Sequence, residues 1–176
     1  HKEQVEKVAE VLSHHFYLSK DWKRVIDYSI IAGNKAKAAY ANSDAIRFYS
    51  WAIEGLINEE EKEGLSKEIE CLTARAEVLN LIGKNKEAEK DLESAIKKAK
   101  QIGKDKEEAD SLLILFKVHQ TTSQHNEALK DAETALGIYR RLNDRKNEIT
   151  VLNNLGRILD SLAEYKKALQ FHEQAL

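Results

Sequence analysis

Asn153 and Arg157 stand four residues apart in a stretch whose apolar residues recur at helical spacing, so an amide and a guanidinium share one helix face. Such a pair can bond peptide carbonyls and a carboxylate together, which suits capture of an extended or helical acidic peptide. Asn154 and Asp160 lie on the same stretch. Two earlier stretches offer similar polar positions, Glu77 with Asn80 and Lys117 with Gln120. A simply solvated polar surface is the other reading of these eight residues, and both stay open at this stage.

Other chemically capable residues point to less. No G-x-x-x-x-G-K-[ST], G-x-S-x-G, H-E-x-x-H or calcium-loop pattern occurs, so no catalytic residue is nominated and the chain reads as a non-enzyme needing no cofactor. His14 and His15 are adjacent, which on a helix points them about a hundred degrees apart. His119, near His125, falls within an apolar stripe, and neither pair is assigned a metal. Trp22 and Trp51 sit among apolar residues, the setting of core packing rather than of a ligand cage. Lys97-Lys98 and Arg140-Arg141 read as solvated helix faces, not phosphate grips.

The elements that must position these residues are helices. The 176 residues include no proline and only seven glycines, with 42% hydrophobic and 33% charged residues, a composition for a packed, almost wholly helical chain. Lys plus Arg, 28, nearly cancels Asp plus Glu, 30, so no overall field draws the chain to nucleic acid or an acidic membrane. Cys71 is the single cysteine, which excludes an internal disulfide and fits a reducing, cytoplasmic compartment. Apolar runs such as Leu112 to Phe116 are far shorter than the roughly 20 residues of a membrane crossing, and no signal-peptide pattern opens the chain. Beginning with His1 and lacking methionine, it reads as an internal segment of a longer protein.

Self-comparison exposes the organisation. Ala88, Ala128 and Ala168 open three ungapped similar segments at a spacing of 40 residues. Upstream of each runs an apolar stripe: Leu72, Ala76, Leu79 and Ile82; Leu112, Leu115, Phe116 and His119; Leu152, Leu155, Gly156 and Leu159. Arg75 interrupts the first stripe. Turns are expected within hairpins at Gly83-Lys84-Asn85, Ser123-Gln124-His125 and Ala163-Glu164-Tyr165, and between hairpins at Gly103-Lys104-Asp105 and Asn143-Asp144-Arg145. Small residues let two backbones approach, and Ala76 and Gly156 are expected to face Ala88 and Ala168. Neither hairpin can hide its stripe alone, so the fold class expected is all-α, an α-α superhelix of antiparallel helical hairpins with a concave inner surface.

Residues 1–58 read as irregular or compressed hairpins, and 59–176 as three regular 40-residue repeats continuous with them in one solenoid. Asp21-Trp22 with Val25, Ile26 and Ala32, and Ala45-Ile46 with Tyr49, Ala52 and Ile53, look like two second helices, with a short helix from Lys35 to Ala41 between them. The acidic run 58–63 reads either as a loop or as the start of a long helix capped by Asn58.

These residues carry a family likeness. Leu152-Asn153-Asn154-Leu155-Gly156 followed by Tyr165, Ala168 and Ala175-Leu176 resembles the tetratricopeptide repeat, and the 40-residue period resembles its longer variety in kinesin light chains and G-protein-modulator scaffolds. The resemblance covers the chain from about residue 65 onward. It implies a protein-binding scaffold whose concave face holds a protein or peptide partner, including a segment of its own parent protein. The N-terminal texture, His14-His15-Phe16, Asp21-Trp22, Ala32 to Ala36, Tyr40-Ala41-Asn42 and Ala45 to Tyr49, resembles the helical segment after the nucleotide-binding module of large signalling ATPases. It implies a signalling protein with an ATPase upstream. The alternatives are homo-oligomerisation through an apolar solenoid end, and RNA binding, against which the mixed signs of Glu77, Lys117, Arg157 and Asp160 argue.

Overall fold

The computed structural model describes residues 2–59 and 64–176, and the regular elements among them are all α-helices: α1 (Lys2–Ser19), α2 (Trp22–Ala38), α3 (Asn42–Glu59), α4 (Gly64–Leu81), α5 (Asn85–Ile102), α6 (Asp105–Thr121), α7 (His125–Arg141), α8 (Arg145–Ser161) and α9 (Tyr165–Gln174). Each interruption has a local cause. Gly83, Gly103, Ser123, Asn143 and Ala163 all adopt positive φ at the turns expected from the sequence, and Lys20 and Tyr40 do the same further upstream. A left-handed residue there turns the next amide back onto the helix: Lys84 N–H donates to Leu79 O at 2.9 Å, and Gln124 N–H to His119 O at 2.8 Å. At the starts of α2 and α8 a side chain satisfies a free amide: the Asp21 and Asp144 carboxylates accept from the Arg24 and Asn147 amides at 3.2 Å.

The chain divides into two compact units, His1–Lys98 and Ala99–Leu176. In the first, α2 packs between α1 and α3, and α4 packs on α3. Val25, Ala32, Phe48, Tyr49, Ile69, Leu72, Ala76 and Leu92 make its core, with the Ser13 and Ser29 hydroxyls bonded at 2.6 Å between α1 and α2. In the second unit, α6 packs on α7, α7 on α8 and α8 on α9, around Leu112, Phe116, Tyr139, Leu152, Leu155 and Ala168.

The first unit corrects three expectations. No short helix spans 35–41: Lys35–Ala38 is the last turn of α2, and α2 packs directly against α3. These are the first and second helices of one hairpin, not two second helices. Gly33 precedes Ala45 by twelve residues, as Ala76 precedes Ala88, Phe116 precedes Ala128 and Gly156 precedes Ala168. The spacing from Gly33 to Ala76 is 43 rather than 40, because Ala52 and Leu72 are 20 residues apart where Ala95 and Leu112 are 17 apart. Asn58 caps no helix; it lies in α3 and its amide donates to Glu54 O at 2.8 Å, while residues 60–63 of the acidic run lie outside the described residues. Ile82 is exposed past the end of α4, not part of its buried stripe.

The close approaches are made by rings. A Cβ on Gly33 would stand 2.8 Å from the Tyr49 ring, whose hydroxyl donates to Asn34 Oδ1 at 2.7 Å. The space beside Gly156 is taken by the His172 ring, one turn beyond the Ala168 expected there. Antiparallel helices crossing at a small residue bring the longer side chain of the next turn, not the facing alanine, into the gap.

Candidate functional site

Within α8, burying Val151, Leu152, Leu155, Gly156, Ile158 and Leu159 leaves Asn153, Arg157 and Asp160 on the opposite face, exposed, with Asn154 half-buried beside them. Within α6 the same logic exposes Lys117 and Gln120, which hold the places of Arg157 and Asp160 forty residues earlier; Leu113 holds the place of Asn153. Asp160 is tethered, its Oδ2 lying 3.2 Å from His172 Nε2. Lys117 and Arg157 have no acidic partner among the described residues. The remaining two nominated residues belong to α4 in the first unit and are occupied. Glu77 pairs with Lys37 of α2, and half-buried Asn80 keeps a polar partner.

Several polar features escaped the sequence reading. Arg75 is no mere interruption: its Nε and one terminal nitrogen donate to the two Asp91 oxygens at 2.7 Å each, and the other terminal nitrogen donates to Ser50 Oγ at 2.9 Å. In the second unit His119 Nδ1 lies 2.6 Å from Asp131 Oδ2. Burial pushes the Asp131 carboxyl above its ordinary value, with the His119 bond opposing in part. Tyr139 donates to Asp110 at 2.7 Å, and burial followed by that bond pushes its phenol up. The signal for two of these pairs was available in register. Phe48, Asp91, Asp131 and Phe171 occupy one place, and where phenylalanine gives way to aspartate the facing helix supplies Arg75 or His119.

Trp22 and Trp51 are half-buried in an aromatic cluster instead of lying in the core. Tyr17 stacks on Trp51 with centroids 4.6 Å apart and meets Trp22 edge-on at 6.2 Å, while Arg47 lies 5.5 Å over Trp51. His14 packs beside Trp51, and His119 is buried in the α6 stripe. Among the described residues no three metal-ligating side chains gather, and no helix is long and apolar enough to cross a membrane. The Cys71 thiol is buried and pushed up to about 12, chiefly by burial, which disfavours the reactive thiolate.

Antiparallel helix pairs recurring along the chain, two of them with a glycine closely packed against a ring, define an all-α helical-repeat protein. Residues 107–176 match the family model of the tetratricopeptide repeat. No curated protein matches it by sequence. Solved structures match over nearly the whole chain. BtubC (BKLC) from P. vanneervenii has a TM-score of 0.77 at 17% identity, over 98% of this chain and 68% of that one. A Rap protein complexed with competence and sporulation factor gives 0.73 at 14% identity, over 97% of this chain, which spans only 52% of that protein. Kinesin light chain TPR-like repeats from Podosopora anserina give 0.64 at 12% identity, over 97% and 94% of the two chains. At these identities the likeness is one of fold: the fold class is that of tetratricopeptide-like α-α superhelices. Tetratricopeptide repeats serve protein–protein interaction and are in general non-enzymatic scaffolds.

Proposed function

We propose that the chain holds an acidic peptide segment of a partner protein along the exposed face of α6 and α8. One observation carries the reading: two cations in matching register, Lys117 and Arg157, stand exposed without acidic partners, beside the amides of Gln120, Asn153 and Asn154. Uncommitted guanidinium and ammonium groups can bond carboxylates, and the amides can bond a peptide backbone. Asp160 supplies one acidic limit to the face and disfavours an acidic side chain of the partner at that end. The similarity in fold to a Rap protein crystallised with competence and sporulation factor supports the reading by analogy. Glu77 and Asn80, already engaged, are peripheral to it.

Binding to an array of acidic peptides tests this. Arg157→Glu is expected to abolish the signal, because it replaces an attraction with a repulsion, and Asn153→Ala to weaken it several-fold. Unchanged binding by both variants would remove the proposed face.

Self-association is a second reading with its own observation, since Tyr165 and Leu169 on α9 are 66% and 58% exposed. Light scattering across a concentration range separates the two: a monomer that still binds peptide excludes it. The N-terminal likeness to signalling ATPases extends the proposal, making this module the C-terminal repeat region of a larger signalling protein. A Walker motif in the preceding sequence of the parent protein is the observation that extension requires.

A further inference from the structure

We propose that the crevice between α3, α4 and α5 in the first unit is a separate binding site, shaped for a glutamate side chain of a partner protein. It differs from the face proposed above in helices, residues and mode of recognition. A cavity of about 230 Å³ opens there, floored by Arg75 and Leu79, with Ile46 and Ser50 of α3 on one side and Lys90 and Asp91 of α5 on the other.

Register makes this crevice exceptional. The place of Arg75 is held in the other hairpins by Ala32, Leu115 and Leu155, all buried and apolar. The place of Asp91 is held by Phe48 in the preceding hairpin and Phe171 in the last, and by Asp131 in the α6–α7 hairpin, where Leu115 and not an arginine stands in the place of Arg75. An arginine and a short aspartate thus stand where an apolar pair fills space, and the volume they leave is open. A partly buried ion pair, with side chains 21% and 12% exposed, is also not what stability alone favours over packed apolar residues.

The donor inventory names the ligand. A guanidinium has five N–H groups, and three are engaged, two by Asp91 and one by Ser50. One N–H therefore remains on each terminal nitrogen. Lys90 has no acidic partner among the described residues, whereas Glu87, the other carboxylate at the site, is held by Lys84 at 3.1 Å. The uncommitted charge facing the cavity is positive. Ile46 and Leu79 supply apolar walls suited to the methylenes of a glutamate whose carboxylate reaches Arg75 and Lys90.

Titration of N-acetyl-glutamate amide into the isotope-labelled chain, followed by NMR at the Ile46 methyl and the Arg75 Nε–H, tests the site. Both signals should shift and saturate, the glutamine analogue should leave them unmoved, and Lys90→Ala should weaken binding about tenfold. The double variant Arg75→Leu with Asp91→Phe installs the apolar pair found in register at Leu155 and Phe171. It should fold with unchanged helix content, and its Ile46 methyl should no longer respond. Unmoved signals in the parent chain, equal shifts with the glutamine analogue, or a persistent Ile46 response in the double variant would each overturn the proposal. Should the double variant not fold, Lys90→Ala at its exposed position still decides: undiminished binding overturns it.

Discussion

At the scale of single residues, small side chains and buried acids carry the most specific consequences. Gly33 and Gly137 both lie within helices, but a Cβ on Gly33 meets the buried Tyr49 ring and one on Gly137 meets nothing within 4 Å. Helix propensity alone favours alanine by about 1 kcal/mol at each. Overpacking against a ring tied to Asn34 reverses that gain, so Gly33→Ala should lose roughly 1–2 kcal/mol in chemical denaturation and Gly137→Ala gain about 0.5–1 kcal/mol. Asp131 gives a pH signature. Its folded carboxyl is raised above the ordinary value, mainly by burial, so the folded state holds the proton more tightly than the unfolded chain. Its contribution to stability is full below the ordinary carboxylate value and declines as pH rises through the raised one. The melting temperature of the parent chain relative to Asp131→Asn should accordingly be highest below the ordinary carboxylate range and fall as the pH rises above it. A flat or rising difference would show that the His119 bond, not burial, dominates.

At the scale of helices and turns, most of the architecture was legible because punctuation and period agree. Five turns marked by Gly, Asn, Ser or Ala each hold a left-handed residue, although only glycine adopts that conformation without steric cost. Ala163→Gly and Ser123→Gly, both at φ of 60°, should each stabilise by about 0.5–1 kcal/mol in thermal or chemical melts. The α2–α3 hairpin was misread for a specific reason: Val25-Ile26 and Ala45-Ile46 offer similar apolar marks, and three extra residues before Leu72 break the 40-residue rhythm. Only the twelve-residue offset from Gly33 to Ala45 reveals the hairpin. Asn58 misled because a good capping residue also serves inside a helix when its amide bonds the backbone four residues back. Ion-pair registers such as Arg75 with Asp91 were invisible one helix at a time, since the partners are sixteen residues apart and meet only across the hairpin. The exposed positions on α8 were legible from spacing, whereas the engagement of Glu77 by Lys37 depends on a neighbouring helix that the period had missed.

At the scale of the whole molecule, the nearly balanced charge leaves specificity to local faces, and the repeat supplies such faces by leaving the same places exposed in successive hairpins. The proposed receptor surface is the α6–α8 face of the second unit. Backbone amide mapping by NMR, with an acidic peptide taken from the array titrated into the labelled chain, tests it most directly. Shifts confined to Lys117, Gln120, Asn153, Asn154 and Arg157, with the outer residues of α7 silent, are the predicted result. Saturable shifts centred on α7 or on the apolar face of α9, with α6 and α8 unmoved, would contradict it.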